Sequence, residues 1–170
     1  MLAVAQLVAN AIEEKLVYDV ERDFAGVSYV ARNPYLVAVQ LGLPARSVRE
    51  FIDLAKAQPG KYNYGSSGVG GSNHVVTEIF ASAAGIKLTN VPMAGSTPLI
   101  QALMSEDLDV VSDLVPVHVP MLRDNRYKAL MIANLKRIAS LPDVPTFAES
   151  GLPAFEASAW SALMAPAGTP

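Results

Sequence analysis

Tyr62-Asn63-Tyr64-Gly65-Ser66-Ser67-Gly68-Val69-Gly70-Gly71-Ser72-Asn73-His74 reads as a strand that runs into a loop of small residues and then into a helix. Glycines let the backbone turn tightly and approach a ligand with no Cβ in the way. Serines add hydroxyl donors. The helix that follows offers unpaired N–H groups and the positive end of its dipole. Together these features make a seat for an anion. A Gly/Ser-rich connection without a ligand is the alternative reading of the same residues.

The pattern does not fit a nucleotide. Gly65 with Gly70-Gly71-Ser72 is a near miss to the phosphate loop, because Gly71 stands where the phosphate-binding lysine belongs. Counted from Gly68, Asn73 takes the place of the third glycine of a dinucleotide fingerprint. Counted from Gly65, Val69 stands where a nucleophile elbow centred on Ser67 needs glycine. A loop with no such charge suits one carboxylate better than a triphosphate.

Working outward, strand and helix signals alternate. A helix is expected over residues 2–16, then two buried strands over 25–31 and 35–40, separated by Pro34. Ser47 and Glu50 form a capping box for a helix through Ala57, which Pro59-Gly60 stops. A strand at 61–64 enters the loop. The next helix runs to Ala84, with Val75, Ile79, Phe80 and Ala83 inward and Gly85 as its stop. After a strand at 86–91 comes a second turn of small residues, 94–98, with Thr97 as N-cap and Pro98 as the first helical residue. That helix, through Met104, buries Leu99, Ile100 and Leu103. Strands follow at 108–112, ending at Asp113, and at 127–133. A short helix at 146–150 closes on Gly151, and 155–164 reads as a strand around Trp160. This alternation indicates an α/β fold with a parallel-rich sheet.

In such sheets ligands lie outside the carboxyl ends of the strands. Three such ends converge: the loop at 65–72, the turn at 94–97 and Asp113. The two turns are expected to hold carboxylate oxygens, directly or through water. Asp113 either accepts from a ligand hydroxyl or amide and repels charge there, or caps the segment that starts near Pro116.

Composition narrows the classes. The chain has 170 residues, 51% hydrophobic and 17% charged, which is a globular composition with a substantial core. Its net charge of -3, with no basic run, argues against nucleic acid. There is no cysteine, hence no disulfide, thiolate metal site or cysteine nucleophile. No apolar run reaches the ~20 residues of a spanning helix. The apolar start Met1–Val8 lacks the basic residues of a secretory signal, so no signal peptide is expected in this chain. His74 reads as a cap or core contact, and His118 lies among prolines with no partner at metal spacing. Neither a metal nor a cofactor is expected.

Several stretches in order resemble one family. Tyr18-Asp19 and Asp23-Phe24, then Pro44, Ser47, Leu54-Ala55-Lys56 and Pro59-Gly60, are similar to its early elements. Tyr64-Gly65-Ser66-Ser67-Gly68-Val69-Gly70 with His74 resembles its glycine loop. Val91-Pro92 with Gly95, residues 141–146 with Glu149 and Gly151, and Trp160 with residues 165–170 resemble its later signatures. The family is that of the periplasmic solute receptors of tripartite tricarboxylate transporters, the Bug or TctC type.

The resemblance implies a type II periplasmic binding protein fold, here one complete lobe with a parallel-rich sheet plus part of a second. Residues 1–45 and 141–170 would form the partial first lobe, and 46–140 the second lobe with the glycine loop. It implies a receptor, not an enzyme, that works in the periplasm and passes a small organic carboxylate to membrane permease subunits. By position, Ser66, Ser67, Gly68, Val69, Gly70 and Ser72 would bind through backbone N–H and hydroxyl groups. Ser96 and Thr97 would match the second turn, and Asp113 the acidic strand end.

Three departures stand out. Met93-Ala94 replaces the family's usual Tyr-Lys, and Ser105-Glu106-Asp107 stands where Gly-Gly is usual. The family's first strand with its facing loop, and its last helices, find no counterpart, so the chain resembles a receptor truncated at both ends. Half a cleft and self-association through exposed apolar surface are then expected. The rival readings are an α/β hydrolase-like enzyme using Ser67 or Ser72, which requires a base within hydrogen-bond reach, and a non-functional remnant.

Overall fold

A computed structural model describes residues 2–3 and 18–169. The apolar run Tyr35-Leu36-Val37-Ala38-Val39 is buried throughout, because a strand packed on both faces needs apolar residues at every position. It forms the second half of β2 (Phe24–Val39). Pro34 does not end this strand as its position suggests. It removes one donor but fits extended backbone, and Tyr35 N–H goes on to donate to Ala157 C=O at 3.0 Å.

The chain forms two compact units, one of them Pro34–Ala157. In it follow α2 (Val48–Ala57), β3 (Asn63–Ser66), α3 (Ser72–Ala84), β4 (Thr89–Pro92), α4 (Ser96–Met104), β5 (Val110–Leu114), α5 (Val115–Arg123), β6 (Lys128–Ile132) and a 3₁₀ turn, Ala148–Ser150. The strands lie in the order β6-β2-β5-β3-β4. β3 is parallel to both β4 and β5, whereas β2 is antiparallel to β5 and β6. Leu36, Ala38, Leu99, Leu103, Leu108, Val111, Val115 and Ile132 meet in one core cluster.

The lobe boundaries expected at 45 and 141 do not match these compact units. Residues 35–39 pair with β5 and β6, and Leu141 and Phe147 are buried. Residues 34–45 and 141–157 therefore pack with the glycine-loop unit.

Local signals explain most helix ends. Ser47 Oγ accepts from Glu50 N–H at 3.2 Å at the head of α2, while Glu50 Oε2 reaches back to Arg46 N–H at 2.7 Å. α3 stops at Gly85 in the left-handed region, φ 64°, where its N–H bonds back to Ser82 C=O. The inward face of α3 differs from expectation: Val76, Thr77, Phe80, Ala81 and Ala84 are buried, and Val75 and Ile79 are exposed. Thr77 can be buried because its hydroxyl donates to Asn73 C=O at 2.8 Å. α4 begins two residues early, at Ser96 rather than Pro98, with Gly95 rather than Thr97 as N-cap.

The other unit draws on residues 1–33 and 158–170. The helix expected over 2–16 lies outside the described residues, apart from Leu2–Ala3, which form β1. β1 pairs antiparallel with β7 (Ser158–Pro166), and α1 (Val20–Asp23) is capped by Asp19. Val27, Tyr29 and Val30, in the first half of β2, are more than half exposed. Among the described residues no helix is long and apolar enough to cross a membrane.

Candidate functional site

Parallel β3, β4 and β5 bring three connections to their carboxyl ends, all within Pro34–Ala157. The glycine loop leaves β3 and the second turn leaves β4. The two are tied side by side by Met93 N–H donating to Ser66 C=O at 2.7 Å. Asp113 lies one residue before the end of β5.

The loop's own amides divide into two sets. Asn73, in the first turn of α3, is 5% exposed and turns its Oδ1 back into the loop. It accepts from Ser67 N–H at 3.0 Å, Ser67 O–H at 2.8 Å and His74 N–H at 3.1 Å. Gly68 N–H donates to Ser66 Oγ at 3.3 Å, and Ser66, itself buried, donates its hydroxyl to Asn90 Oδ1 at 2.7 Å. Ser66, Ser67 and Gly68 are thus engaged inside the protein and are not presented as ligand donors, contrary to the role expected for them. The second set is open. The N–H groups of Val69, Gly70, Ser72 and Asn73 meet no acceptor among the described residues. Gly68 and Gly70 take φ of 113° and 82°, which side chains rarely adopt, and a Cβ at either would meet only open space.

Ser72 is exposed at the head of α3. Its Oγ accepts from Tyr35 O–H at 2.7 Å, which leaves the serine hydrogen free to point outward. Burial and the Asp113 charge push the Tyr35 phenol up, with the Ser72 contact working against them, so it stays protonated. Ser96 and the exposed Thr97 open α4 and add a second helix N-terminus.

Asp113 is 4% exposed and does not reach outward as a ligand acceptor. Its Oδ1 accepts from Leu114 N–H at 2.8 Å, directly ahead of α5; the N-cap of α5 is Leu114 itself, with no side-chain cap bond, so Asp113 does not take the capping role considered from sequence either. Its Oδ2 faces Nε2 of the fully buried His118 at 3.5 Å, and His118 Nδ1 lies 2.6 Å from Tyr127 Oη. Burial by itself pushes the Asp113 carboxyl up. His118, Ser96 and the Leu114 N–H outweigh this and hold it below the ordinary aspartate value.

A carboxyl held lower in the folded than in the unfolded chain stabilises the fold above its unfolded value of 3.8, and that contribution is lost as pH falls further. Asp113→Asn removes it. The gap in melting temperature between the parent and this variant is therefore expected to narrow as pH falls from about 5 to about 2, followed by circular dichroism. A gap that widens on acidification would contradict the assignment.

Sequence reasoning missed Asn73, Tyr35, Tyr127 and the structural part of His118. Only Asn73 carried a local signal, a short side-chain acceptor at a helix start. His74 is half-buried, and its ring lies 6.1 Å from that of Tyr64.

The family model of the tripartite tricarboxylate transporter family receptor, TctC, matches residues 1–170. A protein from the tcbD–tcbE intergenic region of a Pseudomonas species is 34% identical over 154 residues, 90% of this chain and 46% of its own length. The solved structure of R. palustris Rpa4515 with adipate is 34% identical, with a TM-score of 0.83 over 92% of this chain and 52% of that one. MatC (Rpa3494) from Rhodopseudomonas palustris with bound malate is 33% identical, with a TM-score of 0.80 over 95% and 55%. The chain spans about half the length of the relatives it matches. With the fold, the loop and the full-length family match in agreement, the chain belongs to the TctC receptor family of tripartite tricarboxylate transporters.

Proposed function

We propose that the chain is a solute-binding receptor for a small organic carboxylate, or the part of one that carries one face of the ligand site. The observation that carries this reading is the set of open N–H groups on Val69, Gly70, Ser72 and Asn73 at the head of α3, beside the head of α4. Two helix N-termini and unpartnered amides favour an anion that accepts several hydrogen bonds. Val69, Gly70, Ser72, Ser96 and Thr97 are the residues assigned to contact it. The relatives solved with adipate and with malate support a dicarboxylate. Family membership supports a periplasmic protein that hands its ligand to membrane permease subunits. It also supports a binding role without catalysis. In agreement, the Ser67 hydroxyl donates to Asn73 Oδ1, whereas a nucleophile requires a base there.

A thermal-shift panel of adipate, malate, citrate and glutamate tests the reading. At a hundred times its dissociation constant a ligand stabilises by about 2.7 kcal/mol. At least one acid is expected to raise the melting temperature, and Ser72→Ala to reduce the rise. If every acid leaves the transition unmoved at millimolar concentration, the proposal fails.

A further inference from the structure

At the end of the sheet opposite the seat, the same unit carries a basic cleft that the binding of an anion at α3 and α4 does not use. β6 runs parallel to β5, since both are antiparallel to β2. Lys128, at the start of β6, pairs with Val39, which pairs in turn with Val110 at the start of β5. The seat lies at the other, carboxyl ends of the parallel strands. The cleft has a volume of about 430 Å³. Its walls include Arg46 ahead of α2, Arg123 and Asn125 around the end of α5, Lys128, and the apolar side chains of Leu141 and Val144.

Three cationic side chains line this cleft with one carboxylate, that of Asp143, which leaves a surplus of positive charge. Lys128 is half-buried, and its Nζ donates to Leu43 C=O at 2.7 Å and Ala45 C=O at 3.0 Å. Two neutral carbonyls hold this ammonium where a counter-charge is usual, and it has a third N–H to give. The same two bonds fix the loop that leads to Arg46, whose own N–H donates to Glu50 Oε2 at 2.7 Å. The backbone of Arg46 is thus held while its side chain is exposed. The guanidinium groups of Arg46 and Arg123 make no hydrogen bond or ion pair among the described residues. Two other exposed arginines of the chain are paired, Arg22 with Asp23 and Arg137 with Glu149.

We propose that this cleft docks an acidic segment of a partner protein, with carboxylate side chains on Arg46, Arg123 and Lys128 and a neighbouring apolar side chain against Leu141 and Val144. A guanidinium fork matches a carboxylate in shape and charge, and an unpaired one is ready to meet it. The surplus charge attracts an acidic partner and repels a basic one. The apolar wall gives such a segment an anchor. A small acid is a poorer fit, because both arginines stand exposed at the rim, whereas small-molecule sites enclose most of their ligand. A chain that runs along the rim reaches all three cations. The placement has a use: a partner bound at the amino end of the sheet leaves the seat at the carboxyl end clear, so partner and ligand are held at once. The inference goes beyond the receptor reading and does not depend on it.

Amide NMR of the full chain, labelled with nitrogen-15, tests this. The probe is a capped peptide of alternating glutamate and leucine, and its control carries glutamine in place of glutamate. The acidic peptide is expected to move the amides of Arg46, Asn125 and Lys128 and to leave those of Val69, Gly70 and Ser72 in place. Raising the salt from about 0.05 to about 0.3 M is expected to weaken its binding several-fold. The double variant Arg46→Gln, Arg123→Gln is expected to weaken it by roughly fivefold or more. Three results overturn the proposal: no shifts at millimolar peptide, equal shifts with the glutamine control, or binding that survives in the double variant. Shifts confined to Val69, Gly70 and Ser72 also overturn it, since the peptide then sits in the seat. If adipate moves the cleft amides as strongly as the peptide does, the cleft takes small acids and docking falls. Adipate reads the seat separately through Val69 and Gly70, so the receptor reading and the docking inference fail independently. The shift pattern of the parent chain and its salt dependence decide the matter even if the variant does not fold.

Discussion

Gly65→Ala is expected to lower the melting temperature of the chain by about 2–12 °C, from an overpacking cost of about 1–3 kcal/mol. Gly65 lies in the middle of β3, paired with Val91 on one side and Val111 on the other, so the strand cannot slide away. A Cβ there would run into the side chains of Leu99 and Leu108, both wholly buried. Leu99 belongs to α4, whose first residues, Ser96 and Thr97, form one side of the seat. A displaced α4 weakens the site as well as the fold, so carboxylate affinity is expected to fall with stability. Gly26→Ala is the control, because its Cβ would meet only Met164 Sδ at 3.8 Å, an ordinary contact. Thermal unfolding of the three proteins checks the point. A Gly65→Ala variant that melts with the parent would show that α4 can retreat without cost.

This use of Gly65 bears on what the sequence could convey. The strand, loop and helix were legible because each is signalled locally: small residues after a strand, a serine cap at Ser47, a left-handed stop at Gly85. The reason for a given glycine was not local. Gly68 and Gly70 serve the backbone turn, as the pattern suggests, while Gly65 makes room for a helix some thirty residues further on. Polar residues misled in the same way. Apolar spacing placed Val75 and Ile79 inward on α3, but burial follows hydrogen bonding too, and Thr77 and Asn73 take the inner positions. His118 carried no signal, since its partners Asp113 and Tyr127 meet it only through the packing of α5 against the sheet. The strand ends, by contrast, were readable as a site because topology alone brings them together.

Asn73→Asp is expected to separate the stability of the loop from its affinity for anions. All three hydrogen bonds that brace the loop end on Asn73 Oδ1 as acceptor, and a carboxylate oxygen can accept each of them. A negative charge in the first turn of α3 also interacts favourably with the helix dipole, by up to about 2 kcal/mol at a partly buried site, which works against the cost of placing a carboxylate at a residue only 5% exposed. With the three hydrogen bonds kept, the fold is expected to survive, with a melting temperature close to that of the parent. The same charge occupies the field that an incoming carboxylate would use. At roughly 6 Å and an effective dielectric constant of about 20, two like charges repel by about 3 kcal/mol, or roughly a hundredfold in dissociation constant. Calorimetric titration of the parent and Asn73→Asp with adipate and malate, beside thermal melts of both, measures the two effects independently. A stable variant with sharply weakened binding places the ligand at the head of α3. Equal affinity in the two proteins would mean that the ligand's acid group lies away from Val69, Gly70 and Ser72, and that the open amides there answer to water alone.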